Sequence, residues 1–152
     1  MSLYDLMPGQ VALGKAGDQL KTLLGSCVSV ILTDPRRTVG AMCHIVHVGH
    51  PNAANHQNTA YGNVAMAEMA RLLYTAGFAL RSCEAFVAGG GNMFPKLFAH
   101  HHVGTTNADW ALDYLAHHHI RIVKQDVGGY GYRRLSWTVG PTDPHIELTS
   151  SK

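Results

Sequence analysis

Cys27 is the first residue whose type and setting admit covalent chemistry. It follows Leu24-Gly25-Ser26 and runs straight into the apolar segment Val28–Leu32. Gly25 allows a tight turn, so a strand or helix beginning here could present the thiol at its edge, with the amides of Ser26 and Cys27 facing an incoming carbonyl. Such a thiol needs a base, and His44 stands at the end of Gly40-Ala41-Met42-Cys43-His44, with His47, His50 and His56 close behind. Free cysteine is also among the most buried residue types, so Gly-Ser-Cys by itself more often marks a core thiol than a nucleophile. Cys43 and Cys83 sit inside β-type runs and read as core. No pair of cysteines has C-x-x-C spacing, which fits reduced thiols rather than a disulfide framework or a structural zinc site.

Two further groups invite chemistry. His100–His102 and His117–His119 are histidine triplets, but consecutive side chains diverge on any regular element, and neither triplet has the spacing of a strong zinc motif. No metal and no cofactor is expected. Gly89-Gly90-Gly91 lacks the lysine and hydroxyl of a phosphate-binding loop and reads as a tight strand exit, and Gly128-Gly129-Tyr130-Gly131 reads as a turn or bulge.

The elements that must hold these residues follow from pattern. Strand-like runs occur at Val28–Leu32, Val39–Val48, Cys83–Ala88, Ile120–Val123, Leu135–Val139 and Ile146–Leu148. Asp34-Pro35 is turn chemistry, so Cys27–Thr33 and Val39–Val48 are expected to pair as a hairpin with Cys27 and His44 at its open end. Tyr61–Ala76 reads as a helix with Val64, Ala67, Met69, Leu72, Leu73 and Ala76 on its apolar face and Gly77 as its cap. A second helix is expected over Ala108–His118, with Asn107 as N-cap. The polar stretch Pro51–Thr59 reads as a mobile loop. The fold class is therefore α+β: a single-domain layered sandwich of mostly antiparallel strands with two main helices, spanning residues 1–152.

Composition excludes several classes. Hydrophobic residues make up 46% of the 152 and charged residues 14%, which argues against disorder. Twelve Lys and Arg against 10 Asp and Glu give +2 without a dense basic stripe, so no nucleic-acid partner is expected. The start lacks a secretory signal, and no apolar run approaches the roughly 18 residues of a membrane span, so the expected location is the cytoplasm, without membrane insertion.

Taken in order, these segments resemble the CheD family of chemoreceptor glutamine deamidases. The likeness runs from Leu24-Gly25-Ser26-Cys27-Val28 through Gly40-Ala41-Met42 and His44 to Gly89-Gly90-Gly91-Asn92-Met93-Phe94. It continues through Val103-Gly104 with Asn107 to Asp126-Val127-Gly128-Gly129 with Arg133. The resemblance implies Cys27 as nucleophile, His44 as base and a hydroxyl residue just before the cysteine, here Thr22, to orient the histidine. It implies deamidation of glutamines in the cytoplasmic helical bundles of methyl-accepting chemotaxis receptors through a cysteine thioester. It also implies, in some bacteria, a docked CheC-type phosphatase. Members commonly carry an apolar residue and proline soon after the histidine, whereas this chain has His47-Val48-Gly49-His50-Pro51, and two tyrosines fall within Gly128–Arg134. Two other readings differ in kind: a non-catalytic receptor adaptor, and a cysteine amidohydrolase with another substrate. An activated Cys27 is expected to react with an alkylating probe well below the ~8.5 of a free thiol, a demand that binding alone does not make.

Overall fold

A computed structural model of the chain describes residues 1–49, 51–54, 56–97 and 102–150. Nine strands and two helices form three layers. The strands are β1 (Leu3–Leu6), β2 (Val11–Lys15), β3 (Gln19–Leu24), β4 (Val28–Thr33), β5 (Val39–Cys43), β6 (Glu84–Gly89), β7 (Arg121–Val127), β8 (Tyr132–Thr138) and β9 (His145–Thr149). The helices are α1 (Gly62–Thr75) and α2 (Val103–His117). One sheet has the order β1-β3-β8-β9 and the other β2-β5-β4-β6-β7. Among the strands of the described residues, β1 with β3 and β6 with β7 pair in parallel and the rest antiparallel, so the expected α+β sandwich of mostly antiparallel strands with two helices is what the chain forms.

Side-chain alternation on the central strands builds two cores. Val28, Val30 and Leu32 of β4 pack with Met66, Met69 and Leu73 of α1 and Leu115 of α2. From the opposite face, Ile31, Met42 and Phe86 meet Leu20, Leu24, Leu135 and Trp137 of the other sheet. β4, buried along its whole length, divides the two cores.

The β4–β5 hairpin forms as expected from Asp34-Pro35. Asp34 Oδ1 accepts the N–H groups of Thr38 at 2.8 Å and Val39 at 3.0 Å, closing the turn. β5 is shorter than the expected Val39–Val48, ending at Cys43, with Ile45 and His47 continuing only as isolated bridges. His47 leaves the ladder because its N–H turns to the Ala60 carbonyl. β1, β2 and β3 lie in the first 24 residues, where no strand was expected; glycines and charged residues interrupt their alternation, and pairing with later strands supplies the order.

α1 matches its expected span to within a residue, but its buried face is Gly62, Ala65, Met66, Met69 and Leu73; Ala67 and Ala76 are exposed. α2 begins five residues earlier than expected. Its N-cap is His102, whose Nδ1 accepts from the Thr105 N–H at 3.3 Å, so Asn107 lies inside the helix. His50, Asn55, His100 and His101 lie outside the described residues, so the Pro51–Thr59 loop and the first histidine triplet are described only in part. The second triplet is exposed at the end of α2, and among the described residues no three His, Cys, Asp or Glu side chains are grouped as a metal would require. No helix among the described residues is long and apolar enough to cross a membrane.

Candidate active site

Strand register sets the positions of Cys27 and His44. β4 and β5 pair with Ile31 opposite Met42 and Leu32 opposite Ala41, and the bridge of Val28 to Ile45 continues the same register. Val28 and Ile45 face the helices. By alternation His44, two positions from Met42, and Cys27, before Val28, turn to the face between the sheets, diagonally adjacent at the hairpin's open end. Cys27 packs against the inter-sheet core and stays partly accessible, whereas His44 is 2% exposed.

The third residue comes from the other sheet. In β3, Leu20, Thr22 and Leu24 point inward, and Thr22 Oγ1 lies 2.7 Å from His44 Nδ1. The same hydroxyl donates to the Leu6 carbonyl of β1 at 2.8 Å. A hydroxyl carries one proton. With that proton on Leu6 O, the contact to His44 requires Nδ1–H to donate to Oγ1, which leaves Nε2 with its lone pair free. The histidine backbone is also held, its N–H by the Gln10 carbonyl at 3.1 Å and its carbonyl by the Gly9 N–H at 2.9 Å.

Burial holds His44 neutral, lowering its pKa to about 4. Burial also pushes the Cys27 thiol up, and the Cys43 thiol to about 12. Among the described residues no hydrogen bond joins Cys27 Sγ to the imidazole. Burial thus favours a neutral thiol and a neutral imidazole at rest. Such a pair can still react by moving the proton as the sulfur attacks.

Backbone contacts build the loop that carries Cys27. The Gly25 carbonyl accepts from Gly91 N–H, and the Cys27 carbonyl from Gly90 N–H, each at 2.9 Å. Among the described residues the N–H groups of Ser26 and Cys27 meet no acceptor. The glycine triplet is indeed a tight strand exit, and its residue type is compulsory. Gly89 adopts φ +117, and a Cβ there would stand 2.2 Å from the Cys27 carbonyl oxygen. On the other side, a Cβ on Gly104 of α2 would stand 2.4 Å from the Gly91 carbonyl. Gly89→Ala is expected to lower unfolding free energy by about 2–3 kcal/mol, since both the φ value and the clash oppose it. Urea unfolding measures this; a loss under ~0.5 kcal/mol would show that the loop yields freely.

Arg133, to which pattern alone assigned no task, is 2% exposed in β8. It donates to the carbonyls of Gly128 at 2.7 Å and Gly89 at 3.3 Å and pairs with Asp126 at 3.2 Å, clamping the exits of β6 and β7. The signal was present in the alternation of Arg133, Leu135 and Trp137, which turns all three inward. A cleft of about 430 Å³ adjoins the Cys27 loop, bordered by Ser26, Val46, Met93, Phe94, Val103 and Asn107 but not by Cys27 itself.

A family model described as CheD chemotactic sensory transduction matches residues 47–144. That span begins after Thr22, Cys27 and His44. Individual relatives align over more of the chain. A protein of Albidiferax ferrireducens named probable chemoreceptor glutamine deamidase CheD 2 is 33% identical over 142 residues, covering 91% of this chain and 82% of its own. A Pseudomonas fluorescens protein named probable chemoreceptor glutamine deamidase CheD is 32% identical over 133 residues, 86% of this chain and 75% of its own. One of the same name from Methanococcus vannielii is 31% identical over 127 residues, 84% and 82%. With a family model matching more than half of its residues and relatives aligned over most of their length, this chain belongs to the CheD family.

Proposed function

We propose that this chain deamidates glutamine side chains of chemoreceptors, converting them to glutamate with release of ammonia. Three relatives named as probable chemoreceptor glutamine deamidases support the reaction and the receptor substrate. The observation that carries the mechanism is the Thr22–His44 contact, because with its proton on Leu6 O it leaves Nε2 as a base.

In this reading His44 Nε2 takes the Cys27 proton as the sulfur attacks the carboxamide carbon. The carbonyl electron pair moves to oxygen, where the unpaired N–H groups of Ser26 and Cys27 receive it. The imidazolium returns its proton to the leaving nitrogen, ammonia departs, and a thioester remains. Water, deprotonated by His44, then attacks the thioester carbonyl, and the thiolate leaves with recovery of its proton. No cofactor takes part in these steps.

Phe94 and Val103, each 62% exposed, border the cleft beside the Cys27 loop and offer an apolar rim suited to the side of a helix rather than to a small free amide. Each deamidation adds a negative charge to a helix surface and alters the pairing of neighbouring charges three and four residues away. A CheC-type phosphatase is a candidate regulator that would compete for the same rim.

The test uses the purified chain and a receptor cytoplasmic fragment, with ammonia release and the mass change of NH₂ to OH read at each glutamine. The parent is expected to modify specific glutamines and Cys27→Ala to modify none. Modification by Cys27→Ala at the parental rate would overturn the mechanism. A parent that binds the fragment without changing it would favour the adaptor reading.

A further inference from the structure

Asn107 is an unfavourable residue within a helix and is 2% exposed there. A buried carboxamide needs partners, and its partners here bear on the chemistry. Nδ2 donates to the Ser26 carbonyl at 2.9 Å and makes a looser 3.5 Å contact with the Val46 carbonyl. Two carbonyls can be met only by the NH₂ end, which fixes the orientation of the amide.

The two carbonyls belong to the two chains leaving the β4–β5 hairpin. Val28 and Ile45 exchange the last pair of ladder hydrogen bonds, at 3.1 and 2.8 Å. The next donor for the Ser26 carbonyl in that ladder would be the His47 N–H, and this has turned to Ala60. Asn107 takes its place, reaching in from the helix side of the sheet. Because a trans peptide is planar, its N–H points opposite to its C=O. With the Ser26 carbonyl held by Asn107 of α2, the Cys27 N–H of the same peptide points away from that contact.

We propose that Asn107 is a positioning residue for the oxyanion site: by holding the Ser26 carbonyl it aims the Cys27 amide at the side on which the thiol reacts. This rests on the reading that the Ser26 and Cys27 amides receive the oxyanion, and it adds the group that sets the direction of the Cys27 amide.

The experiment compares two reactions of Cys27 in the same protein. With p-nitrophenyl acetate the sulfur attacks the ester carbonyl, an oxyanion forms and collapses, and a thioester and p-nitrophenolate result. With iodoacetamide the sulfur displaces iodide and no oxyanion forms. In Asn107→Ala and in the isosteric Asn107→Asp, the acylation rate is expected to fall by tenfold to about 10²-fold while alkylation stays within about threefold of the parent. Labelling of buried Cys43 and Cys83 marks any unfolded molecules, so the ratio is read on folded protein. An unchanged ratio of acylation to alkylation, whether both rates fall together or neither falls, overturns the proposal. The outcome is separable from that of receptor deamidation. If the parent leaves receptor fragments unmodified while the ratio still falls in the variants, the substrate reading fails and the positioning role stands. If the parent deamidates receptors and the ratio does not move, the reverse holds.

Discussion

His44→Ala is expected to lower kcat for glutamine deamidation by about 10²- to 10⁴-fold with little change in KM, since a positioned base acts on the chemical step. Thr22→Val should cost less, about 10²-fold, because the imidazole remains but loses the group that fixes its tautomer and tilt. The pH profile separates the two roles. In the parent His44, the proposed base, is neutral down to about pH 4, where burial places its transition, so the acid limb of kcat/KM should lie well below the ordinary histidine range near 6.5. Stopped assays of ammonia release across pH 4–8 read this directly. Parental kcat in His44→Ala would move the base elsewhere, with His47 the next histidine along the chain.

The second large effect is on stability. In the folded chain His44 titrates near 4, while in the unfolded chain it titrates near its ordinary 6.5. Between these values the unfolded state binds more protons, so stability rises with pH across the window and is lost as pH falls through it. Above 6.5 both states are neutral and the contribution is constant; below 4 the loss is complete, on the order of 3 kcal/mol from this one group. Asp18, whose carboxylate accepts the N–H groups of Ser2 and Lys15, is held below its ordinary 3.8 and acts in the same direction only beneath that window. Urea midpoints at pH 7 and pH 4.5 should therefore differ more in the parent than in His44→Asn. Equal slopes for the two proteins would show that His44 is not held neutral.

What the sequence revealed of this arrangement divides along physical lines. Helix α1 and strands β4, β6 and β8 were legible because each buries a continuous or strictly alternating apolar set. β1 to β3 were not: Lys15, Asp18 and Lys21 interrupt the first two dozen residues, and their strand character comes from partners 16 to more than 100 residues away. Asn107 illustrates a different limit. A hydrogen-bonding residue before an apolar run is a reasonable N-cap, and only the arrival of the Ser26 carbonyl from another layer gives it a reason to lie inside α2. Cys27, His44 and Thr22 were each ambiguous taken alone. Their juxtaposition needs the hairpin register and the docking of two sheets, neither of which is a property of any one segment.

The bond from Thr22 to the Leu6 carbonyl gives the first strand an influence out of proportion to its four residues. Among the described residues β1 lies at the sheet's edge, paired with β3. Were it to peel away, the Thr22 hydroxyl would lose the acceptor that keeps its proton off Nδ1, and the imidazole's tautomer would no longer be fixed. Displacing β1 would thus cost the inter-sheet core its Leu6 side chain and, with the same stroke, unfix the proton arrangement on His44.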